Sequence, residues 1–322
     1  MDFNEFACAV EERINLNLTG GVRAGIYTAV KNNGRERTGI LIEAPGVNIS
    51  PTIYLEEFFE NYRNGTSMDE VVEEMLKFYE SIRKEESWNC EDLLTFEGVK
   101  DRVVFRLINT AANREFLEEV PHLAFLDLSV VFYVLLEVNG ESTATLVVNH
   151  AHMRRWDVTV ETLWKTAAEN AKVLLPAEFF TMKYALREIM GKSTEYGRAD
   201  QSGNLFAANV QCSDGMYVLS NKLRSYGAAC MAYPHVLDMI GQILRKDFYI
   251  LPSSIHEVVI VPQNPVLCCS DMNEMVKEVN ETQVEDEEVL SDHVYLYERN
   301  TGRLLCGTEN RAGKCCVQEN VF

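Results

Sequence analysis

Apolar residues recur along the chain at two spacings, one suited to helices and one to strands. Phe3, Phe6, Ala7, Val10 and Ile14 share one helical face across Asp2–Leu16, with the carboxylates of that stretch elsewhere. Arg23–Lys31 and Arg37–Ala44 read as a hairpin around Asn33-Gly34, a pair that tolerates positive φ at both central positions. Ser50-Pro51 predicts a helix start and Gly65 its end. Ser67 and Glu70 form a capping-box pattern ahead of a helix over Met68–Arg83, which turns Val71, Val72, Met75, Leu76 and Tyr79 inward. The polar piece Lys84–Asp92 reads as a loop.

The most apolar, β-branched run is Leu123–Trp156, preceded by a buried strand at Val103–Ile108 and a short helix at Asn113–Val120 that Pro121 stops. Asn139-Gly140 predicts a hairpin turn inside the run. Because Val130–Leu135 is apolar on both faces, this strand should lie at the centre of a sheet covered on both sides.

Further on, Thr159–Lys172 should be a helix with Leu163, Trp164, Ala167 and Ala168 inside, and Glu178–Met190 another, ending at Gly191. Lys192–Gly215 is rich in Gly, Ser, Asp and Asn and lacks periodicity. Met216–Asn221 and Ser225–Tyr233 look like paired strands, and Pro234–Arg245 like a helix. Phe248–Leu251 and Glu257–Val261 read as strands, Met272–Thr282 as a helix, and His293–Glu298 as a strand turned at Asn300-Thr301-Gly302. The expectation is an α+β protein of mainly antiparallel hairpin sheets covered by helices. It divides into residues 1–190 with the central hairpin 123–152, a loop or linker at 191–215, and residues 216–322. Three times a hairpin is followed by a helix; with no sequence identity between the units, this fits the commonest local solution of such a chain better than an internal repeat.

Charge narrows the function. The 30 Lys and Arg against 49 Asp and Glu give a net charge of −19. Such a field repels phosphate backbones, and no Lys/Arg stripe offsets it, so nucleic acid is not an expected partner. The longest apolar run, Leu128–Leu136, is too short to cross a bilayer. An odd number of cysteines, nine, behind an acidic amino terminus without an apolar leader points to a reducing compartment, the cytoplasm.

Candidate chemistry lies in three places. A two-residue turn at Asn139-Gly140 would make opposed residues sum to 279, so that Asp127 faces His152 and Ser129 faces His150 on one side of the hairpin. Ser, Asp and two His are raw material for nucleophilic or metal chemistry. The competing reading ends the strand at Asn149, whose side chain caps a helix carrying His152 and Trp156 one turn apart. The second place is Ser254 and His256 between two strands, weighed against a turn in which the serines bond the local backbone. The third is the cysteine cluster Cys268-Cys269, Cys306 and Cys315-Cys316, which has no C-x-x-C pair or zinc-finger histidine; no metal and no cofactor are expected. Gly307–Lys314 has five residues where a phosphate loop has four, and is excluded. Arg224 and Arg154-Arg155 read as surface cations paired with carboxylates.

Several phrases resemble an uncharacterised family of gut anaerobic bacteria with a domain of unknown function: ISPTIYLEEFFENYRNG from Ile49, FLDLSVVFYVLLE from Phe125, LLPAEFF from Leu174, YVLSNKLRSYGAACMAYP from Tyr217 and YILPSSIHEVVIVP from Tyr249. Asn149-x-x-His152-x-x-x-Trp156, with Leu163-Trp164 and Asn170, is similar to a second, shorter uncharacterised bacterial family. The resemblance implies a bacterial, cytoplasmic, non-membrane protein and carries no activity. The expected function is non-catalytic binding, with another protein as partner. The alternative is a hydrolase-like or metal-assisted enzyme using Asp127, His150 and His152, or Ser254 and His256.

Overall fold

Helices and antiparallel sheets alternate through the chain, giving the α+β architecture that the hydrophobic spacing implies. The computed structural model describes residues 1–43, 52–85, 92–139, 142–190, 203–207, 214–265, 269–309 and 315–317. They group into two units, Met1–Leu93 and Leu94–Phe322. Most of the segment 191–215, where the sequence places a loop or linker, is outside the described residues. Among the described residues no helix is long and apolar enough to cross a membrane.

In the first unit, α1 (Phe3–Asn17) precedes β1 (Arg23–Val30), β2 (Glu36–Glu43) and β3 (Thr52–Tyr54), which form one antiparallel sheet in that order. Helices α2 (Glu56–Arg63) and α3 (Met68–Glu85) follow. Reciprocal caps start α1 and α3. Asp2 and Glu5 each accept the other's backbone N–H, at 2.8 and 3.0 Å, and Ser67 and Glu70 do the same as their spacing predicted. Phe6, Val10 and Ile14 of α1 and Val71, Val72, Met75 and Tyr79 of α3 are buried against Ile40, Ile42 and Ile53 of the sheet. Asn33 (φ 59) and Gly34 (φ 69) both adopt left-handed geometry. Val30 nevertheless opposes Glu36, so the connection is a longer loop than the two-residue turn this pair commonly makes. The helix start expected at Ser50-Pro51 falls outside the described residues; β3 comes first and α2 begins at Glu56.

The second unit opens with α4 (Phe96–Val99), β4 (Val103–Asn109), α5 (Arg114–Glu119), β5 (His122–Phe125), β6 (Leu128–Asn139) and β7 (Ser142–Val147). Strand β6 is central, with β4 along one side and both β5 and β7 along the other. Its burial is unbroken from Leu128 to Leu135, as expected of a strand covered on both faces. The next elements are α6 (His150–Trp156), α7 (Val160–Leu174), β8 (Ala177–Thr181), α8 (Met182–Ile189), β9 (Tyr217–Asn221), α9 (Val236–Leu244), β10 (Phe248–Leu251), β11 (Val258–Pro262), α10 (Cys269–Thr282), β12 (Tyr295–Glu298), β13 (Arg303–Glu309) and β14 (Cys315–Val317). Strands β8 to β14 form a seven-stranded antiparallel sheet, ordered β14-β13-β12-β10-β11-β9-β8. Between the two sheets' elements, Phe105 of β4 meets the rings of Trp164 on α7 and Tyr233, at 5.0 and 5.4 Å.

Three expectations need correction. The predicted helix Glu178–Met190 is split: Phe179 and Phe180 are buried on β8, and Thr181 then accepts the Tyr184 N–H to start α8. Burying two adjacent phenylalanines between elements outweighed their helical spacing. Ser225–Tyr233 is not a strand, because Gly227–Ala232 winds into a buried 3-10 helix while β9 pairs with β8 and β11 instead. In the central hairpin Asn139 opposes Ser142; Gly140, the second predicted turn residue, lies outside the described residues. The opposed pairs sum to 281 beside the turn and to 280 beyond an irregularity at Leu136, never to 279.

The 3-10 segment depends on a close approach. A Cβ on Gly227 would come within 2.2 Å of the Ser220 Oγ and 2.6 Å of the His256 carbonyl oxygen. Gly227→Ala should therefore lower the unfolding free energy by about 2–3 kcal/mol in urea titration, with an unchanged denaturant slope.

Candidate functional site

Two of the phrases singled out by sequence meet in space. Strand β9 pairs with β11, with Leu219 opposite Val258, and this sets the turn Ser220–Gly227 against Ser254–His256. The Ser220 hydroxyl donates to the His256 carbonyl at 2.8 Å. Asn221 organises the turn through its side chain, which donates to the Ser225 carbonyl and accepts the Leu223 N–H. Arg224 (φ 53) and Tyr226 (φ 52) then adopt left-handed backbone geometry, which large side chains rarely do. This strained backbone aims the Tyr226 N–H at His256 Nδ1, 3.2 Å away.

That one bond settles what His256 can do. A nitrogen that accepts an N–H carries no proton of its own, so the ring proton sits on Nε2, which faces Glu288 Oε1 at 3.2 Å. The Ser254 hydroxyl accepts the His256 backbone N–H at 3.0 Å, the local serine turn, and has no imidazole nitrogen available to deprotonate it. Beside it, Arg224 bonds Glu178 at 2.7 Å and Glu188 at 3.3 Å and lies over the Phe180 ring. The Arg106 guanidinium lies between the rings of Tyr226 and Tyr133, 3.5 and 4.1 Å from their centroids, and donates to the Thr145 hydroxyl.

Asp127 lies in the turn between β5 and β6, after Leu126 in left-handed geometry (φ 59). Its two carboxylate oxygens accept the Ser291 hydroxyl and the Tyr295 hydroxyl, each at 2.6 Å. Both donors are 0% exposed. Burial, followed by the neighbouring carboxylate, raises the Tyr295 hydroxyl well above its ordinary range, so it stays a donor. The same segment is held by Asn109, whose amide donates to the Leu290 carbonyl, and by Asn280, which donates to the Ser291 carbonyl.

His150 and His152 are not opposed to Ser129 and Asp127. The strand ends at Val147, and Asn149 starts α6 by accepting the His152 N–H at 2.9 Å while giving its own N–H to His152 Nδ1 at 3.2 Å. The His152 ring stacks on Trp156 at 5.2 Å, and His150 is the first residue of the helix. Burial, reinforced by Arg155, lowers the His152 pKa below its ordinary value, while a bond to the Val147 backbone works the other way.

Among the described residues no three of His, Cys, Asp and Glu gather as a metal would require. Cys230 and Cys306 are buried, and burial pushes the Cys230 thiol far up, away from reactivity. Cys90, Cys212 and Cys268 and the side chains of Cys315 and Cys316 lie outside the described residues. Sequence reasoning missed Arg106, Tyr226, Glu288, Ser291 and Tyr295. The one visible signal was a lone arginine within the apolar strand VVFRLI.

Residues 3–299 match the model of a family described as a family of unknown function, DUF5688. No curated protein and no solved structure matches the chain.

Two outcomes follow from the geometry. Tyr295→Phe strips one donor from a carboxylate and should cost about 2 kcal/mol in urea unfolding; Asp127→Ala strands two buried hydroxyls and should cost about 3 kcal/mol, and the double variant should cost less than the sum. His152 must stay neutral for Nδ1 to accept. With its folded pKa lowered, the unfolded chain takes up the proton first, so stability should fall as pH drops below 6.5 and level off under the folded pKa. His152→Gln, which keeps an acceptor at that position, should flatten this part of a pH–stability curve measured by thermal melts.

Proposed function

The chain belongs to this family of unknown function, DUF5688, and we propose that it is a non-catalytic binding or protein-interaction protein. One observation carries the reading: the atoms that would accept protons are engaged by the fold. His256 Nδ1 takes the Tyr226 N–H, His152 Nδ1 takes the Asn149 N–H, and both Asp127 oxygens take hydroxyls. A general base needs a lone pair directed at its substrate's proton, and at these three places the accepting atoms already hold hydrogen bonds within the fold. Nine cysteines, an odd number, support a reducing compartment, which we take to be the cytoplasm.

Hydrolysis of p-nitrophenyl acetate and p-nitrophenyl phosphate tests the reading. Wild type, His256→Gln and Asp127→Asn should all run at the same background rate, while both variants unfold at lower urea concentration. A wild-type rate about tenfold or more above that of His256→Gln or Asp127→Asn, about 1.4 kcal/mol of transition-state stabilisation, would overturn it.

A further inference from the structure

The clusters above leave one charged feature of the second unit unused. The loop after α9, the end of β11 and the turn after β12 border a cleft of about 670 Å³, lined by Arg245, Lys246, Asp247, Gln263, Arg299 and Asn300 among others. Its size lies within the range of small-ligand pockets, roughly 300–1,000 Å³. The loops are fastened to one another through Asp247: its carbonyl accepts the Gln263 N–H at 2.8 Å and its carboxylate accepts the Arg299 N–H at 3.0 Å.

Elsewhere in this acidic chain, cations such as Arg13, Lys77, Lys100, Lys172 and Arg224 pair with carboxylates. Arg245, Lys246 and Arg299 make no ion pair among the described residues, a state they share with cations such as Lys183, Arg187 and Lys222; what sets these three apart is that they converge on one cleft. Three cations against the single carboxylate of Asp247 leave two positive charges facing the cleft. Attraction to the carbonyl end of α9 accounts for a cation at 245 or 246. Arg299 arrives from the turn after β12, with its side-chain stem packed over Gly241 of the same helix. Arg245 also adopts left-handed geometry (φ 57) at the end of α9, a place where glycine is the unstrained choice, so its side chain is kept there at a cost.

We propose that this cleft is a binding site for a small phosphate monoester, held by Arg245, Lys246 and Arg299. A phosphate dianion matches the two uncompensated charges, and guanidinium groups present paired N–H donors to its oxygens. The net charge of −19 weighs against a long polyanion and favours a compact one. The inference is independent of the non-catalytic reading, since none of these residues belongs to the His256, Asp127 or His152 clusters.

Calorimetric titration of the full chain with inorganic phosphate, glycerol 3-phosphate, acetate and a phosphoserine peptide provides the test. Phosphate and glycerol 3-phosphate should bind, acetate should bind at least about tenfold more weakly, and added salt should weaken binding. Arg245→Gly relieves the backbone while removing one cation, so it should fold at least as well as wild type and yet bind at least about tenfold more weakly; Arg299→Gln should show the same loss. Acetate binding as well as phosphate, or Arg245→Gly and Arg299→Gln binding like wild type, would overturn the site. A phosphoserine peptide binding about tenfold tighter than glycerol 3-phosphate would overturn the small-molecule assignment.

Discussion

A carboxylate with both oxygens occupied holds the second unit together. Asp127, at the rim of the four-stranded sheet, binds Ser291 and Tyr295, which lie 164 and 168 positions further along the chain and lead into the seven-stranded sheet. A carboxylate in such a place costs free energy unless its oxygens accept hydrogen bonds, and each oxygen accepts a hydroxyl at 2.6 Å. The match works in both directions, because the fully buried hydroxyls would otherwise be donors without acceptors. Neighbouring bonds from Asn109 to the Leu290 carbonyl and from Asn280 to the Ser291 carbonyl fix the backbone that presents these hydroxyls. β12 begins at Tyr295 itself, so the tie also sets where that strand enters its sheet.

The same accounting separates architecture from chemistry at the two histidines. A histidine serves as a base only if one nitrogen keeps a lone pair directed at a substrate while the other is anchored. At His256 the anchoring is divided between a backbone N–H on one side and Glu288 on the other, so the ring acts as a strut between the Tyr226 turn and the segment around Glu288. At His152 the lone pair closes a helix cap. In both cases the bond partner is a backbone amide within a turn or helix start, and such partners are supplied by conformation, whatever residue types surround them.

This explains how much of the molecule was legible in the sequence. The capping boxes at Asp2 and Ser67, the inward faces of α1 and α3 and the doubly buried β6 follow from periods and pairings within a few residues, and those were readable. The Asn149 cap was readable, favoured by the resemblance of Asn149-x-x-His152-x-x-x-Trp156 to the second family; the register itself was not, because the turn pairs Asn139 with Ser142 and an extra residue at Leu136 then shifts the pairing once more. The division of Glu178–Met190 into strand and helix was hidden because its outcome depends on β9, more than thirty residues away in sequence. The partners of Asp127 were hidden for the same reason on a larger scale. Serine and tyrosine near the carboxyl end carry no local mark that they will meet an aspartate at the turn before β6.

Electrostatics adds a constraint that local patterning does not express. A total of −19 implies a mostly negative surface, yet at physiological ionic strength a surface charge is felt over only about 8 Å. Within that distance the local arrangement governs, and three cations around Asp247 outweigh distant carboxylates. The global charge then acts as a filter on size: an anion small enough to fit within the screened neighbourhood of the cleft meets a net attraction, whereas a long polyanion must lay the rest of its charge along an acidic surface. On the proposed reading, an acidic protein with cations converging on a cleft favours compact anions without any contact devoted to excluding large ones.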